Sequence, residues 1–465
     1  MNDMTTQQVE PKVNILKSRD DHEPIRFEET TDGKFQLTAG IECAWLKSGE
    51  PFGPDKLRER IEPWLTALFQ SEHLSLLVGS GLTLAVGVLT ECSGLTTMDA
   101  IKFDVFTDQI MAAAEQTAQL AKRKASNFED QIRVANELLT GLRHYCLPPT
   151  VCTPELKAEI DKLEQNISVF LLELAISILE SERKIITAPK RDDGFGYLVN
   201  FLMSPASRSG TRDRLQIFTT NYDRVIEAGA EIAGLHLIDR FVGNLAPIFR
   251  SSRLSVDMHY NPPGIRGEPR FLEGVARFTK LHGSVDWVYS DRDIRRIGLP
   301  FGAENIDPFL EAPGTRGANS LNLMIYPNSS KDRETAAYPY VDLFRDFAAA
   351  ICRPNSTLVT YGYSFGDEHI NRVIEDMLTI PSTHLVIMSF SDPMGRIMET
   401  YDKIRRPAQI TLLIGNHLGN LKTLVDHYMP KPAIDRTTFR MAELLQARFG
   451  TSAPDKKTDK ESREE

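Results

Sequence analysis

Cysteine is scarce and poorly placed for cross-linking: Cys43, Cys92, Cys146, Cys152 and Cys352 are all that 465 residues contain. Their number is odd, their spacing is wide and no Cys-x-x-Cys pair occurs. That argues against a disulfide framework and against a four-thiolate zinc site, and it fits a reduced, cytoplasmic setting. Long apolar runs are missing too. None approaches the ~18 residues that a membrane-crossing helix needs, and Met1 to Lys34 has no apolar core of a signal peptide. Positive charge is in deficit, with a formal net charge of −10, so the surface as a whole is not built to bind nucleic acid. The one local basic run, Arg292 to Arg296, reads as a solvated loop.

What is present is ordinary for a folded protein, with 41% hydrophobic and 25% charged residues. This is enough to build one large domain with insertions. The polar ends cannot bury enough surface to order themselves, so residues 1–35 read as a flexible N-terminal arm and 429–465 as a C-terminal helix with a disordered tail. Between them, short apolar runs alternate with helical patterns. Leu74–Val78, Leu215–Phe218, Arg277–Leu281, Ser356–Tyr361, Leu385–Phe390 and Ile410–Ile414 have strand length and flanking Gly, Asn or Asp. Helical patterns follow at Arg224–Ala233, Glu368–Leu378, Met394–Arg405 and Gly419–Tyr428. Such alternation predicts an α/β fold, a Rossmann-like parallel sheet of about six strands with helices on both faces. Its parts are 36–95 and 190–428. Residues 96–189 interrupt it as an all-helical insertion. Leu156, Ile160, Leu163, Ile167, Phe170, Leu174 and Ile178 mark one face of a long helix, which Thr153 caps with Pro154 in its first turn. The Pro-, Gly- and Arg-rich segment from Arg240 to Arg333 reads as long loops on the ligand side of the sheet.

Polar motifs cluster where predicted strands end. Gly79-Ser80-Gly81-Leu82-Thr83 is a glycine turn that opens a helix, the arrangement that lets a backbone approach a pyrophosphate. Thr219-Thr220-Asn221-Tyr222-Asp223 follows the second strand, and Asp223 alone could serve as a helix cap. His282-Gly283 follows the third, and a histidine there has the right ordinary pKa for a general base. Gly362-Tyr363-Ser364-Phe365-Gly366-Asp367 follows the fourth, with Ser364 able to bond a ribose and Asp367 able to cap the next helix.

A glycine turn, Thr-x-Asn-x-Asp, His-Gly and Gly-x-Ser, in that order, resemble the motif set of the sirtuins. The resemblance covers mainly 74–95 and 213–415. The zinc ribbon of the deacylases is absent, as is their Ile-Pro-x-Phe-Arg segment, so deacylation is not the expected activity. The motifs as they stand look like those of sirtuin-like NAD hydrolases of prokaryotic anti-phage defence, of the stand-alone type that pairs with a hexameric HerA-type DNA-translocating ATPase. The resemblance implies cleavage of NAD, as substrate, to nicotinamide and ADP-ribose, with no metal. Asn221 and His282 would be catalytic. Gly79, Ser80, Gly81, Thr83, Thr220, Asp223, Gly283, Gly362, Ser364 and Asp367 would bind the dinucleotide. A homo-oligomer is expected, without direct nucleic-acid or membrane binding. The other reading is a non-catalytic NAD or ADP-ribose sensor, or a scaffold subunit of a defence complex.

Overall fold

The computed structural model describes residues 13–432 apart from 31, 42, 47–48, 96–100, 121–124, 127, 149, 209, 211, 254–255, 261–269, 291–292, 312–313, 316–322 and 326–337. The chain opens with three strands, β1 (Val13–Lys17), β2 (Ile25–Glu29) and β3 (Phe35–Leu37), followed by helix α1 (Pro54–Phe69) and strand β4 (His73–Val78). Next come the helices α2 (Gly81–Leu89), α3 (Thr107–Leu120), α4 (Phe128–Tyr145), α5 (Pro154–Thr187) and α6 (Arg191–Ala206). Strand β5 (Gln216–Thr219), helix α7 (Val225–Ala233) and strand β6 (His236–Ile238) return the chain to the main sheet. Short strands β7 (Phe241–Val242), β8 (Ile248–Phe249), β9 (His259–Tyr260) and β10 (Arg270–Phe271) precede β11 (Val275–Lys280). Then follow β12 (Gly283–Ser290), β13 (Asp293–Arg296), the single turn α8 (Asp307–Leu310), β14 (Leu323–Ile325) and α9 (Tyr340–Ile351). The chain closes with β15 (Ser356–Tyr361), α10 (Glu368–Leu378), β16 (His384–Ser389), α11 (Arg396–Ile404), β17 (Ile410–Ile414) and the turn α12 (Leu421–Thr423).

The main sheet has ten strands in the order β3-β2-β1-β17-β16-β15-β4-β5-β11-β6. The seven from β17 to β6 are parallel. All six expected strands are among them, and the short β6 adds a seventh at one edge. Side chains alternate between the faces with the strand period. Leu76 and Val78 join α1, α2, α6 and α7 in one core, while Leu77 joins α9, α10 and α11 in the other. Both faces are therefore covered by helices, which is why the strands read as continuous apolar runs.

Two expectations about the chain's organisation are corrected. The N-terminal arm is part of the sheet from Val13 onward, because β1 pairs antiparallel with β17 and β2 and β3 extend the edge. Its polar composition is accommodated specifically: buried Asn14 accepts hydrogen bonds from the backbone N–H of His417 (3.0 Å) and of Leu418 (3.1 Å). The stretch after Arg240 is not simply loops. Its strands form a second, five-stranded sheet in the order β14-β12-β13-β8-β7, and the basic run expected as a loop is strand from Asp293.

Helices α3, α4 and α5 lie between β4 and β5. Thr153 caps α5, its hydroxyl accepting from the Leu156 N–H at 3.2 Å. The stripe of Ile160, Leu163, Ile167 and Leu174 is buried, together with α3, α4 and residues of the second sheet such as Val285 and Val288. The cysteine spacing had argued against cross-links, yet Cys146 and Cys152 form a disulfide where α4 turns into α5 and their Cα atoms come within 4.7 Å. Of the expected C-terminal helix and tail, everything from residue 433 lies outside the described residues.

Candidate active site

The four polar motifs, spread over nearly 300 positions, arise from four neighbouring strands, β15-β4-β5-β11. All four run parallel, so the residues that follow them gather at one edge of the sheet. The chain leaves β4 towards β5 and β11 and later returns on its other side with β15. The loops after β4 and β15 therefore flank the point where strand order reverses, where open α/β sheets bind ligands.

Glycine is required here by contact. A Cβ on Gly79 would lie 2.4 Å from the Gly362 carbonyl oxygen, and one on Gly81 would lie 2.6 Å from the Gly362 Cα. Gly362 also has a φ of +60°, a left-handed conformation that favours glycine. The two loops are stitched by the Gly79 N–H donating to the Tyr361 carbonyl (3.0 Å) and the Gly81 N–H to that of Gly362 (3.1 Å). Two amides expected to face a phosphate are thus used between the loops. Ser80, Gly362 and Ser364 stand beside this seam.

Asn221 is buried just beyond β5. Its side-chain amide donates to the Gly79 carbonyl (3.1 Å) and to the Thr83 hydroxyl (3.2 Å). Thr83 in turn donates to Asp223 at 2.8 Å. The other Asp223 oxygen accepts from the Val225 N–H at the start of α7. Thr219 supports the turn from below, accepting from the Asn221 N–H (3.1 Å) and donating to the Val78 carbonyl (3.0 Å). Thr220 is held by its backbone N–H, which donates to the same carbonyl at 3.2 Å. Tyr222 points the other way, into the helical insertion core, and burial raises its phenol well above the usual range.

His282 stands at the joint between the two sheets, where Gly283 takes a φ of +89° and β12 begins. Its Nε2 lies 2.8 Å from Oδ2 of Asp367. An ionised carboxylate only accepts, so Nε2 carries the hydrogen, and in the neutral ring Nδ1 holds the lone pair. Asp367 also caps α10, its Oδ1 accepting from the His369 N–H at 3.2 Å. Phe365 in the same loop has a φ of +54°, an uncommon non-glycine conformation of the kind found at functional loops. The arrangement thus joins the first motif to the second through Asn221, Thr83 and Asp223, and the third to the fourth through His282 and Asp367.

Residues 215–408 match the family model of the SIR2-like domain. The matched stretch contains Asn221, His282 and the Gly362–Asp367 loop, and the match suggests NAD-related activity. No curated protein matches the chain. Among the described residues, no group of three or more His, Cys, Asp or Glu is arranged to hold a metal ion, and no helix is long and apolar enough to cross a membrane.

Two supporting ion pairs behind the motifs escape the motif pattern. Arg224, directly after Asp223, forms a buried ion pair with Glu182 of α5 at 2.6 Å. Its backbone N–H donates to the same carboxylate at 2.9 Å. Lys280, two residues before His282, donates to the Asp223 carbonyl and to Glu227 (3.0 Å). The only sequence signal for these was the presence of basic residues flanking the motifs.

Proposed function

We propose that the chain hydrolyses NAD to nicotinamide and ADP-ribose, with Asn221 and His282 at the reacting ribose. The observation that carries this reading is the meeting of His282 and Asp367 beside the Asn221–Thr83–Asp223 network on four adjacent strand ends. In the proposed reaction the C–N glycosidic bond breaks and its electron pair goes to the pyridinium nitrogen, giving neutral nicotinamide. The ribose carbon passes through an oxocarbenium-like state. Water adds to it, and His282 takes the proton released, directly or from a ribose hydroxyl. Asp367 then stabilises the imidazolium. Asn221 orients the ribose and the water. Gly79–Thr83, Thr220, Asp223, Gly283 and the loop bearing Gly362, Ser364 and Asp367 form the dinucleotide cradle, placement being the larger part of the catalysis because the leaving group is already cationic.

The test is incubation of purified protein with NAD, with nicotinamide and ADP-ribose followed by chromatography. Loss of NAD in the wild type, and none with Asn221→Ala or His282→Ala of unchanged melting behaviour, is the expected outcome. Wild-type turnover by both variants would overturn the assignment.

We further propose a cytoplasmic anti-phage effector that assembles with itself and with a HerA-type ATPase. Val169 and Ile176, one heptad apart on α5, are exposed and support an assembly contact on the insertion. Co-elution with such an ATPase and a rise in NAD loss on mixing are expected. Monomeric elution and unchanged turnover in its presence argue against the assembly alone.

A further inference from the structure

A cavity of about 920 Å³ lies between the α7, β6 and β11 edge of the parallel sheet and strands β7, β8, β12 and β13 of the second sheet, with Arg224 and Lys280, which flank the motifs, in its wall. That volume is in the range of small-molecule sites. Four of its cationic wall residues are paired, and Arg253 also lines it. Arg224 is held by Glu182 (2.6 Å), Lys280 by Glu227 (3.0 Å), Arg296 by Asp239 (2.6 Å) and Arg240 by Asp346 (2.6 Å). Its carboxylates are less well served. Asp286 is only 7% exposed, and its Oδ1 has no hydrogen-bond partner among the described residues; Oε2 of Glu227 has none either. One donor, Nη1 of Arg240, is in the same position. Buried polar atoms left unpaired are costly and uncommon, so the two carboxylate oxygens ask for donors. Burial raises the Glu227 carboxyl to about 7, as expected of a carboxylate short of partners. Beside these groups, Phe241 and Trp287 pack with centroids 4.9 Å apart, and Phe249 lies 6.4 Å from Trp287. Aromatic faces accept both an apolar stem and a cation.

We propose that this cavity is a second ligand site, for a small organic cation: an amine or guanidine on an apolar stem, its N–H groups meeting Asp286 and Glu227 and its body lying on Trp287. The binding test does not depend on the NAD reading, because it measures a cation and not turnover. The probe is agmatine, titrated calorimetrically into the full-length protein. Saturable binding at one site per chain is expected. Asp286→Asn should weaken it by about tenfold or more, the loss of one charge-assisted hydrogen bond. Val256 also lines the cavity and is 55% exposed, so Val256→Trp should obstruct the entrance without touching the core and should weaken binding likewise. Should Asp286→Asn not fold, Val256→Trp decides. Absence of binding at millimolar agmatine overturns the proposal, as does equal binding by the folded variants. Displacement of agmatine by ADP-ribose in the Asn221→Ala protein overturns the cationic class.

Discussion

Asp367 divides its two oxygens between two partners. One caps α10 and the other pairs with His282. Replacement by Asn separates the roles, because Asn caps a helix about as well as Asp but brings no charge to an imidazolium. Asp367→Asn is therefore expected to change stability by no more than about 1 kcal/mol and to reduce NAD cleavage by about 10²–10⁴, as for other carboxylates that orient a catalytic histidine. Melting curves and nicotinamide release on one preparation check both halves. Equal losses of fold and activity would instead make Asp367 a structural cap. At this scale the sequence showed what each residue type can do but not its partner. The position of Asp367 before a helical pattern declares a cap. Its bond to a histidine 85 positions earlier exists only because β11 and β15 end at the same edge.

The helix α5 is tied to the Asn221 loop through Glu182, which is fully buried and accepts from the Arg224 side chain, from the Arg224 N–H and from the Gly302 N–H. Removing one partner strands the other charge in the interior. Glu182→Ala is expected to cost about 3–5 kcal/mol, whereas replacing both Glu182 and Arg224 with Met should recover much of it. Urea unfolding of the single and double variants checks this, and a double variant no more stable than the single removes the ion-pair account. The double variant should still turn over NAD less well, because the N–H anchor of the loop is gone. Long elements such as α5 were legible because a 34-residue helix repeats its apolar period many times and carries its own cap. The second sheet was not, since β7 and β8 are two residues each and show no period. Strand β1 was hidden for a different reason: Asn14 and Lys17 look like surface residues and are buried by partners from the other end of the chain.

Across the whole molecule, two buried histidines at the β16–β17 side of the sheet contribute acid sensitivity, while the raised Glu227 carboxyl works in the opposite sense over much of the same range. His384 bonds the Thr411 hydroxyl at 2.8 Å and packs edge-on against Trp64, with centroids 5.5 Å apart. Burial, with Lys17 nearby, lowers its pKa to about 4. His417 bonds the Tyr428 hydroxyl at 2.7 Å and lies 4.5 Å from the ring of Phe35. Burial, with His427 nearby, lowers it to about 4 as well. In the unfolded chain both return to an ordinary histidine value near 6.5. Between about pH 6.5 and 4 the unfolded state binds protons that the folded state refuses, so stability is complete above that window and falls as pH drops through it. Each histidine contributes at most about 1.4 kcal/mol per pH unit, on the order of 3 kcal/mol each across the window. Because β1 joins β17 and Phe35 of β3 packs on His417, the loss bears on the part of the sheet to which the N-terminal strands attach. Unfolding in urea at pH 7, 6 and 5 should show the decline in the wild type. A variant with both histidines changed to Gln, which can still bond the two hydroxyls, should show a markedly flatter profile. An identical profile would place the acid sensitivity in other groups and leave these two histidines as packing residues.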